Sequence, residues 1–555
     1  MAMLKMLAHY LLSSNYKETR RPRRIKSWFL GLLISLLLVG CGEQRSEEVA
    51  VSTLRLGTVG GPPRTLNPLL MDRSVSMALA QLIFNNLVRM NEQLAPEPDL
   101  AKSWEISEDG MVYTFYLRPG VRFHDGVELT SADVAFTYDL IRNYKLKPPR
   151  ESYFDAVARW ETPDKYTFRI VLNKPFGLSI TSMCEQILPK HLLEGQDINT
   201  TSFNRHPIGT GPFRFKEWTA DNRIILERNT DYYEGKPPLQ GKQITQIVAQ
   251  GYESLSQSCS AFLKSETDVV FFLGQEQFEQ VKRDPRFKAY SFPIGWTYAV
   301  EYNLNHPLIK DRAIRTALAQ AINIPEMIQK IENGYGAASS GPFVPGTWWY
   351  NPEVKPLEYN PARAQELLAE AGWQLNKNGV LEKAGQEFRF TLLVNPAMRE
   401  SKRIAMLVYQ DFFKIGIRVE LVSFDTPAVG SGNVQPPPGA AGYLTAFCNM
   451  AEPADLSRDW HSQEWQKVVK IWPYKNPEVD RLFDAGKRFV RIEERQPFYQ
   501  QLHQTLYNDQ PALFLYFNYN LSAMRSGFEN TDRLFSISMP FWTIKDWRIN
   551  EGSKD

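Results

Sequence analysis

The chain has 555 residues, more than one compact hydrophobic core accommodates, so two large lobes, or two lobes with an added subdomain, are expected. Hydrophobic residues make up 43% and aromatic residues 12%, values of a globular protein that exclude a disordered chain. The 64 basic and 62 acidic residues leave a net charge of +2, and no basic patch is interleaved with aromatics, so the electrostatic footprint of a nucleic-acid-binding protein is missing.

Residues 20–26 read RRPRRIK, and a solidly apolar run follows from Trp28 to Gly40. Basic, then apolar, then small residues is the order of a secretory signal, and the run is about half the length that spans a bilayer. Its end, Leu38-Val39-Gly40-Cys41, resembles the bacterial lipobox. The resemblance implies cleavage before Cys41, acylation of its thiol, and a mature protein anchored by several acyl chains, enough for lasting attachment. Residues 1–40 are therefore expected to be a lipoprotein signal peptide. The segment before Arg20 is long for a signal, and Met3 and Met6 are alternative starts. Residues 41–50 are polar and aperiodic, a flexible tether.

Residues 51–59 alternate as a strand and lead into the turn GGPPRTLNPLL. A helical pattern is expected over 74–90. Asp109-Gly110 sits between the runs SWEIS and MVYTFYLR, the chemistry of a β-hairpin. Ser131 or Thr130 caps a helix over DVAFTYDLI. Strands are expected at 166–172 and 223–229, and a long helix at 311–332, broken before Pro325. Asn360-Pro361 opens a helix that Gly372 ends. The strand FRFTLLV and the amphipathic run SKRIAMLVYQDFFKIG follow. Residues 427–442, with three consecutive prolines, are expected to be irregular. A last helix is expected over about 477–508, then strands from ALFLYFNYN onwards. Strands and helices alternate throughout, so the class is α/β.

Chemical motifs are absent from the sequence. There is no G-x-S-x-G, H-E-x-x-H, Walker or G-x-G-x-x-G sequence, and none of the seven histidines pairs with another at metal spacing. No metal site and no cofactor is expected. His124-Asp125-Gly126 suggests an acid/base pair, but neighbouring residues of an extended chain face opposite ways, so a structural turn is expected. Cys184, Cys259 and Cys448 form either one disulfide with a thiol left over or three buried thiols.

Residues 97–141, EPDLAKSWEISEDGMVYTFYLRPGVRFHDGVELTSADVAFTYDLI, resemble the extracellular solute-binding protein family 5, the dipeptide-, oligopeptide- and nickel-binding receptors of ABC importers. GTGPFRFKEW (209–218), RNTDYYEGKPP, YNLNHPLIKDRAIRTALAQAIN (302–323), YNPARAQELLAEAGW (359–373) and KIGIRVEL (414–421) resemble further blocks of that family in the same order. The resemblance implies a two-lobed periplasmic-binding-protein fold (type II, large peptide-binding subclass) with an extra subdomain inserted in lobe I. Lobe I is placed at 51–84, 210–290 and 521–555, the insert at 85–209 and lobe II at 291–520. It further implies a non-enzymatic, monomeric receptor in the cell envelope, facing the periplasm or exterior, whose lobes close on a ligand and which delivers it to a membrane permease with its ATPase subunits.

In oligopeptide receptors of this kind an aspartate before an acidic-Pro pair neutralises the peptide ammonium. The matching stretch here, from Tyr443 to Pro453, puts Asn449 at that position, and an amide does not neutralise a cation. Two possibilities stand open: Glu452 or Asp455 takes the ammonium, or the ligand has no free amine there. Phe447, Trp296, Tyr298, Trp348 and Tyr516, with Trp349 and Tyr519 beside them, are the candidate aromatic walls. A secreted hydrolase would require a buried nucleophile–base pair in the cleft. A sensor or chaperone built on the same receptor is separable by the genes that neighbour this one.

Overall fold

The computed structural model describes residues 52–550 except 72–73, 144–155, 176–179, 236–241, 425–435, 449–452, 464–470, 473 and 490. The leader, Cys41, the tether and most of the 427–442 segment therefore lie outside the described residues.

Ten strands run in one path through an eleven-stranded sheet. At one end Arg418–Ser423, Arg389–Val394 and Ala440–Cys448 pair in parallel. Two long antiparallel strands, Phe287–Tyr302 and Ala512–Arg525, occupy the middle. Beyond them come Val269–Val270, Thr53–Val59, Gln246–Tyr252, Arg223–Arg228 and Phe213–Trp218, and Gly336–Ala338 pairs off this path with Ala512–Arg525. A separate four-stranded antiparallel sheet is built from Ala101–Ile106, Val112–Leu117, Thr167–Leu172 and Val157–Asp164. Its inward residues Tyr113, Phe115 and Leu117 alternate with half-exposed ones, as a one-sided sheet requires. The helix Ser131–Asn143 contributes Val134, Tyr138 and Ile141 to the same core.

The buried residues divide the chain into two lobes. The largest core draws on residues from Leu54 to Phe292 and from Met524 to Trp547. A second core draws only on residues from Tyr298 to Tyr516. The division falls where the two long strands cross from one core to the other, so the fold is α/β and two-lobed.

Local chemistry accounts for most of the expected elements. The hairpin turns at Gly110, whose φ is 66°, a conformation glycine adopts without strain. The helix at 131 opens on Thr130, whose backbone and hydroxyl both donate to the Asp133 carboxylate, at 2.9 and 3.1 Å. Asn323 accepts from the backbone of Glu326 and starts the helix Ile324–Glu332 with Pro325 in its first turn, so the break in 311–332 falls at 321–323.

Two expectations are corrected. The helix expected over 74–90 spans only Ser74–Ile83, and Val88–Met90 is a strand paired with Pro96–Pro98. The buried carboxylate of Asp99 takes the backbone N–H of Asn86 at 2.8 Å, which withdraws it from a helical ladder, and also accepts from the Asn85 side-chain amide at 2.9 Å. The single helix expected over 477–508 is two, Pro477–Lys487 and Ile492–Asp509. They pack closely enough that a Cβ on Gly486 would lie 2.8 Å from the Tyr499 ring.

Candidate functional site

The crossing of the two long strands is irregular. Pro293 pairs with Tyr519 and Thr297 with Phe517, so a four-residue step on one strand faces a two-residue step on the other. Proline has no N–H for the ladder, and Gly295 follows it, which suits a bulge. The bulge leaves Trp296 43% exposed, although the strand from Tyr298 to Tyr302 is buried. A large ring turned to solvent in the middle of a central strand is the conspicuous apolar feature of the crossing.

On its other side Trp296 pairs with Cys448, the last residue of the strand Ala440–Cys448. In the same register Thr297 faces Phe447, and Tyr298 faces both Ala446 and Tyr516. Four candidates are thereby brought within two residues of the crossing, on three adjacent strands. They do not share one face. The Tyr298 and Tyr516 rings meet tilted at 46°, with centroids 5.0 Å apart, and belong to the second core. Phe447 lies in a third cluster with Ala299, Leu456, Trp460 and Phe514, and its ring is 5.1 Å from that of Trp460. Trp348 is in that third cluster too, packed on Trp349 and Tyr499, with the Arg495 guanidinium 5.1 Å from its ring. Asn449 and Glu452 lie outside the described residues. Asp455 is in the turn Pro453–Leu456, and its side chain is likewise not described.

Two features here gave no sequence signal strong enough to select them. Phe272 is 44% exposed with a left-handed φ of 59°, and its N–H donates to Asn520 Oδ1 at 3.3 Å. Asn520 lies two residues from Asn518, across the strand from Trp296, so exposed aromatics flank the crossing on both sides. Glu332 is buried, accepting from the Tyr516 hydroxyl and from Gln275, both at 3.1 Å, and burial raises its pKa.

The polar pairs elsewhere are structural. His124 Nδ1 accepts from the Gly209 N–H at 3.3 Å, and Nε2 lies 3.0 Å from the Gly211 carbonyl. Burial lowers its pKa to about 4, so the ring is a neutral staple between the Phe-His-Asp-Gly turn and the Gly-Thr-Gly segment. Asp125 instead meets His191 at 2.7 Å, so the neighbouring His124 and Asp125 do act in different directions. Ser340 and His503 are buried and 3.0 Å apart. His503 Nδ1 accepts the Asn351 N–H, so Nε2 carries the proton and donates to the serine oxygen, the wrong tautomer for a base. Cys184 and Cys259 are free thiols. Among the described residues, no group of acidic, histidine or cysteine side chains is arranged to hold a metal ion.

Residues 95–485 match the model for bacterial extracellular solute-binding proteins, family 5. The oligopeptide-binding protein AppA of Bacillus subtilis is 30% identical over 532 residues, covering 92% of this chain and 96% of its own. Its structure with a nonapeptide superposes with a TM-score of 0.62 at 27% identity, over 90% of this chain and all of that one. A nickel ABC transporter structure from Bacillus halodurans has the same fold, with a TM-score of 0.75 at 21% identity, over 88% and 98% of the two chains.

Proposed function

Because the chain belongs to the bacterial extracellular solute-binding proteins of family 5, we propose that it captures a peptide or peptide-like ligand between its lobes and delivers it to an ABC permease. The observation that carries this reading is Trp296, a solvent-facing indole on the bulge where the chain crosses between two separate cores. Two strands joining independently packed lobes form a hinge, and a ring at the hinge contacts whatever is enclosed when they close. The 30% identity to an oligopeptide-binding protein over nearly the whole length supports a peptide as that ligand.

Lobe I comprises 51–84, 210–290 and 521–555, with 85–209 inserted, and lobe II comprises 291–520. Trp296 and Phe447 line the ligand's side of the crossing, while Trp348, Tyr298 and Tyr516 support the wall from behind. The protein acts by binding alone, as a monomer anchored through acylated Cys41 outside the cytoplasmic membrane. The proton on His503 Nε2 supports the absence of catalysis, since it leaves Ser340 without a base.

The ligand's amine is the chemical question at this site. A buried ammonium requires an anion, and Asn449 is not one, so Glu452 or Asp455 supplies it. Calorimetry with free alanine peptides of two to nine residues tests this. Glu452→Gln or Asp455→Asn weakens binding by about 3–5 kcal/mol, hundreds-fold or more, and Asn449→Asp is tolerated. If the parent binds N-acetylated alanine peptides instead, the ligand has no free amine there, Asn449→Asp is the damaging change and the other two are silent. Parent-like binding by all three variants refutes the placement of the site.

A further inference from the structure

We propose that the tip of the hairpin Val88–Pro98, residues 91–95, is a clasp that holds the two lobes together. The third cluster of buried residues is built from Ala299 to Phe514, with two exceptions, Leu94 and Ala95. Those two, 4% and 8% exposed, pack among lobe II aromatics that include Trp348, although the strands behind them belong to the other side of the molecule. Val88, at the foot of the hairpin, and Leu100 and Ala101, just beyond it, are in the largest core. The backbone follows the side chains across: the Trp348 N–H donates to the Gln93 carbonyl at 3.4 Å.

The arm is braced for this position. Asn91 Oδ1 accepts the N–H groups of Gln93 and Ala95 at 3.0 and 2.9 Å, and its own N–H donates to the Ala95 carbonyl at 2.9 Å. At the base, Arg89 lies 3.9 Å from the Trp542 ring centre and pairs with Glu97 and Glu234 at 2.8 and 2.9 Å. Glu92 pairs with Arg533, which also lies against Trp542. Leu94 holds a left-handed φ of 61°, a conformation leucine rarely adopts, so the turn presents an apolar side chain where asparagine or glycine relieves the strain. That choice is explained by what the side chain reaches.

When the lobes part, Leu94 and its aromatic partners return to water. Closure therefore gains from the clasp whether or not ligand is present. Burial of one leucine side chain shifts the closed-to-open ratio by roughly ten- to a hundred-fold.

Leu94→Asn is the test, because asparagine tolerates the left-handed turn and removes only the apolar contact. Parent and variant are stripped of ligand by unfolding and refolding, and circular dichroism verifies the fold. Small-angle scattering then gives a larger radius of gyration for the variant. Equal radii overturn the clasp, whatever the affinities. Leu94→Ala serves the same comparison should the asparagine variant fail to refold. The ligand arm rests on the proposed capture of peptides: the dissociation constant of a parent-binding alanine peptide rises ten- to a hundred-fold. A parent that binds no alanine peptide refutes the peptide reading, and the radius comparison then decides on the clasp by itself.

Discussion

Replacing Trp296 by alanine separates a ligand wall from a core residue. A tryptophan side chain presents up to about 250 Å². With 43% of it exposed, about 100 Å² remains for a ligand to cover. At about 25 cal/mol per Å² that area is worth about 2.5 kcal/mol, or roughly 70-fold in dissociation constant. Because that surface is already wet in the free protein, its loss does little to the fold. Trp348→Ala, at a site 7% exposed and packed on two other rings, costs about 3–5 kcal/mol of stability instead. Titration calorimetry with an alanine peptide that binds the parent, paired with thermal melts of both variants, reads the two effects apart. A Trp296→Ala protein that binds within threefold of the parent, or that melts as early as Trp348→Ala, refutes the assignment.

Gly209→Ala places a Cβ 2.0 Å from the Ile83 carbonyl oxygen and 2.8 Å from its carbon, contacts with backbone that no side-chain rotation relieves. With the His124 staple disturbed too, the midpoint of urea unfolding drops by the equivalent of about 3 kcal/mol or more, and a parent-like midpoint contradicts the close approach. Burial holds His503 at a pKa of about 3, below the roughly 6.5 of an unfolded histidine, so the unfolded chain takes up the proton first. Stability from this site is full above about pH 6.5 and falls toward pH 3, by about 2–3 kcal/mol between pH 7 and 4.5. His503→Gln flattens that decline in melts across the range, and an unchanged slope removes His503 as its source. Cys41→Ser releases the protein from the membrane fraction or leaves it uncleaved, and normal processing with full attachment sinks the lipid anchor.

The fold was legible where local chemistry acts alone. Asp109-Gly110, Asn360-Pro361 and the apolar alternation of 166–172 and 223–229 need no distant partner, and these elements form where the sequence places them. Errors arose where distant groups compete for the backbone. The pattern at 74–90 continues as a helix until Asp99 takes the Asn86 N–H, and nothing local announces that capture. The aromatic candidates were legible as residues and not as faces. Tyr298, Thr297 and Trp296 are consecutive, and only the two-residue bulge opposite Asn518 decides that the indole turns to solvent while the phenol packs against Tyr516. The first strand of the hairpin, Val88–Met90, was hidden by the helix expected over 74–90, although Asn91 and the prolines at 96 and 98 carry turn chemistry.

Mass spectrometry of the small molecules that co-purify with the mature protein, released by denaturation, tests the central claim most directly. Peptides are expected, depleted when Trp296 is replaced by alanine. A single non-peptide solute or a metal complex in their place, retained by the Trp296→Ala variant, contradicts the capture of peptides at this crossing.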